Sequence, residues 1–329
     1  MDYNLREKFF KKLDEEINSI IDKKTGKVSK KYLKKINCPI CKVSDFEESL
    51  FEKNGFDFVR CKQCELIYTN PQPKVDLIEK IYKNSESAEI WRKLQGSNKE
   101  IAWKKDYYYD TIDFISNNIN ISKKIQLLDL GCNNGLFLEY VKEKTNWDHL
   151  GIDLNEKAID EAKRKNLNVI NCDYDVLDQD FDIVTMFGVM EHIPNPYELL
   201  EKIILKQRNK DKWYFSMIVP NMFSLFHFFL KENSPSIDGR EHILYFSINS
   251  IKNLLKKLDF KNITCDTVLT GAGAIKQQLQ WYKYDNISTV GTRFIPSKIL
   301  KEIENGNFEK FLKDYDLGLR IRVIASYEN

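Results

Sequence analysis

The chain lacks any apolar run near the roughly 18 residues needed to span a bilayer. Its start, Met1-Asp2-Tyr3-Asn4-Leu5-Arg6-Glu7-Lys8, is charged and leads into no apolar stretch of signal-peptide type. A soluble, cytoplasmic protein is the expectation. An excess of one charge is missing too: 51 Lys and Arg stand against 49 Asp and Glu, a formal net charge of +2. That balance speaks against a surface coated with cations for nucleic acid. Cysteine comes to an odd seven, which does not suggest a disulfide framework in such a protein. Histidine is scarce, with four in 329 residues, so few side chains are ready to move protons near neutral pH. No internal repeat is visible.

What is present suffices for one large domain, or one large and one small, each with its own core. Residues 1–35 hold eleven Lys or Arg and six Asp or Glu. Leu5, Phe9, Leu13, Ile17 and Ile20 recur there at helical spacing. This reads as a helical basic arm: a solvated, packing element first, a phosphate or anion contact second. Residues 36–72 are short, turn-rich and cysteine-bearing. Residues 73–122 follow the breaker Pro71-Gln72-Pro73 and look helical, a connector or lid carrying Ile78, Ile81, Tyr82, Trp91, Leu94, Trp103, Tyr107 and Tyr108.

From residue 123 to 329 the texture changes to short apolar strands alternating with amphipathic helices. Strand candidates are Ile125–Leu130, His149–Asp153, Asn168–Cys172, Phe181–Phe187 and Trp213–Val219, with others near 261–269 and 319–327. That alternation calls for an α/β domain with a parallel sheet covered by helices on both faces. A helix at about 196–206 follows the fourth strand, and Ser247 is a fitting N-cap for another carrying Ile248, Ile251, Leu254, Leu255 and Leu258. Residues at about 271–315 read as an insertion.

The first strand ends in Asp129-Leu130-Gly131-Cys132-Asn133-Asn134-Gly135. A glycine turn between strand and helix lets a ligand approach the backbone closely, and the helix start adds free N–H groups and a positive dipole end. The acid just before the turn suits a ligand with a cationic group better than a pyrophosphate. The second strand ends at Asp153, where a carboxylate can accept hydrogen bonds from both hydroxyls of a ribose. The turn alone is a weak signal; with both acids it is considerably stronger.

These residues resemble the first two motifs of the class I S-adenosylmethionine-dependent methyltransferases. The resemblance continues through Asn171-Cys172-Asp173, Phe181-Asp182-Ile183-Val184 and Glu191-His192-Ile193-Pro194-Asn195-Pro196, covering about 125–260 well and the rest of the domain more loosely. It implies a Rossmann-like seven-stranded methyltransferase domain with S-adenosylmethionine as cofactor. Asp129 would support the methionine amino group and Gly131 and Gly135 would line the methionine part, with Cys132 and Asn133 completing the bend. Asp153 would bind the ribose, Asp173 would face the adenine edge, and Leu154 and Phe187 would line the same site. The family usually has a second glycine where this chain has Asn133; Asn tolerates left-handed backbone better than other non-glycine residues, so the turn is expected to survive. A nicotinamide or flavin dehydrogenase is the nearer rival, and both the turn and the Glu-His-Ile-Pro segment speak against it.

Cys38-Pro39-Ile40-Cys41 and Cys61-Lys62-Gln63-Cys64 form two C-x2-C pairs with 19 residues between them. Four thiolates suit a closed tetrahedral zinc site, structural because no position is left for chemistry. Asn54-Gly55 between Ser49–Lys53 and Phe56–Arg60 is a strong hairpin signal that would carry the second pair to the first; Arg60 and Lys62 are expected to help keep the sulfurs ionised. A zinc ribbon closing on Leu66-Ile67-Tyr68-Thr69-Asn70-Pro71-Gln72-Pro73 resembles those ahead of bacterial methyltransferases that modify sugars, surface glycans and secondary metabolites.

Methyl transfer from a sulfonium is an in-line displacement that needs an aligned acceptor and often a base. His192 follows the fourth strand. His242 lies in Arg240-Glu241-His242-Ile243-Leu244-Tyr245-Phe246-Ser247, before the helix leading to strand six. Both loops belong to the carboxyl edge of the sheet, where ligands bind. Either histidine is a candidate general base, each weighed against a turn-stabilising or lid role. Tyr245 and Asp238 are secondary candidates, and Glu191 is read as an anchor of its loop. His149 is read as structural and His227 as part of a packing surface or acceptor wall. No Asn-Pro-Pro-Tyr or Asp-Pro-Pro-Tyr follows strand four, and no Pro-Cys follows a core strand, which disfavours exocyclic-amine and cytosine-type methylation. The leading expectation is an O- or N-methyltransferase for a small molecule, such as a sugar nucleotide or glycan unit. An RNA methyltransferase using the basic arm and ribbon is the runner-up, and a non-catalytic scaffold the third reading. Oligomeric state is left open by the sequence.

Overall fold

A computed structural model describes residues 3–95, 98–230, 234, 236–268 and 307–329. The N-terminal part comprises helix α1 (Tyr3–Ile20), strands β1 (Leu33–Lys34), β2 (Phe46–Lys53), β3 (Phe56–Cys61), β4 (Ile67–Thr69) and β5 (Gln72–Pro73), then helices α2 (Val75–Asn84), α3 (Glu86–Gln95) and α4 (Asn98–Asn118). Next come β6 (Gln126–Leu130), α5 (Leu136–Lys144), β7 (Asp148–Asp153), α6 (Glu156–Arg164), β8 (Val169–Asn171), β9 (Ile183–Phe187), α7 (Pro196–Lys206) and β10 (Lys212–Pro220). The last described elements are α8 (Leu225–Leu230), β11 (Leu244–Tyr245), α9 (Ile248–Lys257), β12 (Lys261–Val268), α10 (Asn307–Asp314) and β13 (Arg320–Glu328). Residues 271–306 of the expected insertion lie outside the described residues; α10 falls in its last part.

Seven strands form one sheet in the order β12-β13-β10-β9-β6-β7-β8. The run from β10 to β8 is parallel, and β13 lies antiparallel between β10 and β12. The fold class expected from the sequence, an α/β domain on a mostly parallel sheet, is therefore present. Neighbouring residues on each strand point to opposite faces, and both faces are apolar. Leu127, Ile183, Tyr214 and Ile324 pack with Ile112 and Ile115 of α4, Phe137 and Val141 of α5, and Ile159 and Ala162 of α6. Leu128, Val184, Phe215 and Val323 pack the other way, with Leu200 and Ile203 of α7 and with Ile251, Leu254 and Leu255 of α9. Each fully buried side chain of this kind contributes about 1.5–3 kcal/mol, so the doubly covered sheet is the stable platform.

Local signals fix the helix starts. The Asn155 side chain accepts from the Ala158 amide at the start of α6. Asn195 caps α7, with Pro196 at its first position. Ser247 and Ser250 cap α9 reciprocally, satisfying amides that the first turn leaves without helical partners.

The second sheet, β11-β4-β3-β2, builds the cysteine-bearing unit. Asn54 and Gly55 both have positive φ, +56° and +77°, as a two-residue hairpin matched to strand twist requires. The edge strand β11 comes from far along the chain: Leu244 pairs with Tyr68 and Tyr245 with Ile67. No helix among the described residues is long and apolar enough to cross a membrane.

Candidate active site

The parallel strands all deliver their following loops to one edge of the sheet. There Gly131 and Gly135 have φ of +76° and +74°, and Asn133 has +51°. Asn133 thus takes the left-handed conformation in which glycine is usual, an arrangement open to a short polar side chain. A Cβ on Gly131 would lie 2.5 Å from Cγ2 of Val189. The bend after β6 therefore sits directly against the loop after β9, with no room for a larger residue.

Two carboxylates flank the bend. Asp129 is buried, and its Oδ1 accepts from the Thr185 hydroxyl at 2.7 Å. Burial pushes its carboxyl up to about 7, since a charged group in an apolar setting is disfavoured unless a cation joins it. Asp153 accepts from the Asn133 amide at 2.9 Å through Oδ2 and from the Asn155 amide at 2.8 Å through Oδ1. Leu154 is exposed beside it. Asp173 accepts from the Asp175 amide at 3.0 Å. Cys132 turns inward: its sulfur and Cβ are among the atoms that a side chain on Gly151 would strike. Its sulfur also lies 3.7 Å from the Asn133 carbonyl. Phe187 packs edge-on to Phe137, with ring centroids 4.7 Å apart.

The loop after β9 carries Glu191 and His192 in a short 3-10 turn, Met190–His192. His242 reaches the same place from the segment before β11, and the Ile243 amide donates to the Glu191 carbonyl at 3.0 Å, joining the two loops. The His192 and His242 rings meet edge to face, centroids 4.7 Å apart. His192 Nδ1 lies 2.9 Å from the Glu241 carbonyl and His242 Nδ1 lies 2.9 Å from the Ser236 carbonyl. A carbonyl only accepts, so Nδ1 of each neutral ring carries the proton and Nε2 the lone pair. Burial, and next the nearby His192, hold His242 below the usual imidazole range. Glu191 is buried, one oxygen 3.8 Å from Arg320 and the other, Oε2, without a hydrogen-bond partner among the described residues. Arg320 opens β13 on the same edge.

Other candidates are placed differently. The Tyr245 hydroxyl is buried, donates to the His242 carbonyl at 2.6 Å and lies 3.2 Å from the amides of Asp238 and Gly239, which donate to it. Those contacts tie the Tyr245 hydroxyl to the loop at 238–242. Asp238 likewise accepts from the amides of Arg240, Glu241 and His242. His227 is buried against the Asn221 carbonyl and the Ser224 hydroxyl, and His149 lies on β7.

Two connections at this site were not read from the sequence. Arg240 is buried and binds Glu16 of α1, the Ser87 hydroxyl of α3 and Glu241, which fastens the N-terminal helices to the histidine loop. Arg320 beside Glu191 is the other. Neither has a local sequence signal, because both join segments far apart in the chain.

The four cysteines of the two pairs are buried, and their sulfurs all lie within 4.8 Å of one another. Cys38 and Cys64 sulfurs are 3.6 Å apart. The Cys64 contact holds Cys38 down to about 6, while burial pushes Cys41 up to about 11 and contact with Cys38 raises Cys64. Four such sulfurs ionise together only around a cation, so the donor set fits a tetrahedral zinc ion. Arg60 and Lys62 do not supply that charge: Arg60 pairs with Glu65 at 2.9 Å and Lys62 with Asp45 at 3.1 Å.

The chain is similar to several known proteins. Ubiquinone biosynthesis O-methyltransferase of Coxiella burnetii (strain Dugway 5J108-111) is 28% identical over 152 residues, 44% of this chain and 63% of that one. The protein of that name from Neisseria meningitidis serogroup A is 25% identical over 158 residues, 45% of this chain and 65% of that one. The chain thus spans just under two thirds of the length of these curated relatives. Among solved structures, the plantazolicin methyltransferase BpumL in complex with SAH aligns with a TM-score of 0.50 and 18% identity, over 77% of this chain and 94% of that one; the likeness is one of fold. A family model described as a methyltransferase domain matches residues 99–265. That match begins in α4, takes in the whole carboxyl edge of the parallel strands and ends in β12, and by it this chain belongs to the methyltransferase-domain family.

Proposed function

We propose that the protein transfers the methyl group of S-adenosylmethionine to an oxygen of a small-molecule acceptor. The observation that carries this is the opening of two features onto one sheet edge: the carboxylate-flanked bend at 129–135 and the His192–His242 pair. The bend fits the cofactor on its own geometry. Asp129 is a buried acid matched to an ammonium group, and the glycines supply the left-handed turns of the bend, packed close against Val189 and Leu167. Asp153, whose oxygens can each accept more than one hydrogen bond, suits a ribose diol. Asp173 and Leu154 are read as the wall of the adenine ring, and Phe187 backs the bend.

When bound, the cofactor supplies an electrophilic methyl carbon on a cationic sulfur. The acceptor's oxygen lone pair would form the new C–O bond as the C–S pair returns to sulfur, and the acceptor proton would pass to a base or water at the His192–His242 pair. Glu191 and Arg320 set the charge of that pocket, and Tyr245 with Asp238 hold the loop that presents His242. The buried thiols Cys38, Cys41, Cys61 and Cys64 hold a structural zinc ion.

The acceptor class is read as a sugar nucleotide, glycan unit or related metabolite, on the ribbon's closing phrase at 66–73. The relatives named for ubiquinone biosynthesis favour a ring hydroxyl as a second reading. Two measurements test the whole. Calorimetric titration should give saturable binding of S-adenosylmethionine and its demethylated product. Incubation with methyl-labelled cofactor and fractionated cell extract should place label in a low-molecular-weight sugar or quinone fraction. No heat with either nucleoside overturns the cofactor reading, and label in RNA or protein overturns the small-molecule one.

A further inference from the structure

We propose that Glu191, His192 and His242 hold a divalent first-row metal ion, which takes the acceptor oxygen as a further ligand. The inference rests on the methyl-transfer reading above and says how the acceptor is made nucleophilic.

One ligand atom from each of the three residues lies within 4.8 Å of the others. Both rings carry the second contact that orients a ligating histidine: the Nδ1 proton is given to a carbonyl, of Glu241 for His192 and of Ser236 for His242, each at 2.9 Å. That leaves the Nε2 lone pairs as donors, and such carbonyl contacts are a regular companion of metal-bound imidazole. The Glu191 carboxylate is 1% exposed, and its Oε2 finds no hydrogen-bond partner among the described residues. A buried oxygen of that kind is costly to leave bare. The Arg320 guanidinium pairs with the other oxygen only at 3.8 Å, beyond hydrogen-bonding range. Two imidazoles and one carboxylate on converging loops make a three-donor set with positions left for water or substrate.

This set differs in kind from the four-cysteine site, which is closed. Its place beside the bend, against which the Val189 side chain packs, puts a bound oxygen next to the cofactor edge. An acceptor hydroxyl bound to the ion becomes more acidic. Its proton leaves to water, since both Nε2 lone pairs are ligated. The oxygen keeps the electron pair, forms the bond to the methyl carbon, and the C–S pair returns to sulfur. No oxidant or reductant is involved.

Manganese(II) is the probe, because a hard ion disfavours the thiolates of the four-cysteine site. The zinc-loaded full-length protein should bind one Mn2+ per chain in an electron paramagnetic resonance titration. Glu191→Gln and His242→Gln should each weaken binding about tenfold or more. Binding of the demethylated cofactor, measured by calorimetry on the same samples, reports whether each variant is folded and tests the cofactor reading separately. Should a variant fail to fold, pulsed measurement of nitrogen coupling on Mn2+ bound to the unaltered protein decides: coupling to two imidazole nitrogens supports the site, none overturns it. Absence of saturable Mn2+ binding, or equal binding by folded variants, also overturns it and returns the rings to duty as proton acceptors.

Discussion

The Asn133 amide donates to the Asp153 carboxylate at 2.9 Å, so the bend that ends one strand is tied to the acid that ends the next. Asp153 thereby does two things at once: it faces the edge and holds the left-handed residue in place. Asp153→Ala should weaken cofactor binding by tenfold to a hundredfold, on the order of 1.5–3 kcal/mol for hydrogen bonds to a charged group. Asp153→Asn should fall between the two, because it keeps an acceptor for the amide. Calorimetric titration separates them, and wild-type affinity in Asp153→Ala would remove Asp153 from the site.

Asp129 predicts a pH dependence. Its folded carboxyl is raised to about 7 from an ordinary value of 3.8, so the folded state binds the proton more tightly than the unfolded one. Its contribution to stability is therefore present at low pH and lost as pH rises through about 7. The cofactor's ammonium needs the ionised form, so affinity should fall as pH drops below that value. Asp129→Asn should melt higher than wild type in mildly alkaline buffer, by less in mildly acidic buffer, and bind the cofactor poorly in both. Scanning calorimetry across pH, with and without cofactor, checks both signs.

Gly131→Ala places a Cβ 2.5 Å from the Val189 side chain at a φ of +76°. The left-handed backbone costs about 1 kcal/mol or more for a residue with a Cβ, and the contact adds to it. Val189→Ala combined with Gly131→Ala should recover the steric part and not the backbone part. Denaturant unfolding of the three variants measures the coupling; strict additivity would show that the two loops do not touch as described.

Arg240 is 2% exposed and bonds Glu16 and Glu241. The Glu16 and Glu241 carboxylates left behind are only partly buried, so Arg240→Ala should cost about 1–3 kcal/mol. It should also release α1, seen as earlier proteolytic cleavage within residues 3–20. An unchanged cleavage pattern would mean that α1 is held by its apolar contacts alone.

Much of this was legible in advance, for local reasons. The Asn54-Gly55 hairpin, the Ser247 cap and the apolar strands alternating with helices all depend on neighbours a few residues away, where sequence pattern is informative. The bend at 129–135 was legible because strand, glycines and helix adjoin. What stayed hidden joins distant segments or rests on the exact course of a loop. Tyr245 was visible as a secondary candidate, but its contacts with the amides of Asp238 and Gly239 were not. Arg60 reads as a partner for sulfur until Glu65 takes it. His192 and His242 were each visible as candidates, but their contact depends on the amide of Ile243 finding the Glu191 carbonyl, a pairing that no periodicity encodes.

The two-residue strand Leu244–Tyr245 completes the cysteine-bearing sheet while His242 stands two positions before it. Grafting residues 36–72 onto a different catalytic half, or exchanging them with a cousin's, would leave Leu244 and Tyr245 without their mates and the histidine without its mooring. Recombination between relatives is therefore constrained: the small N-terminal piece and the stretch around 244 must be inherited together, so a gene-fusion boundary drawn between them would give a protein with neither half properly finished.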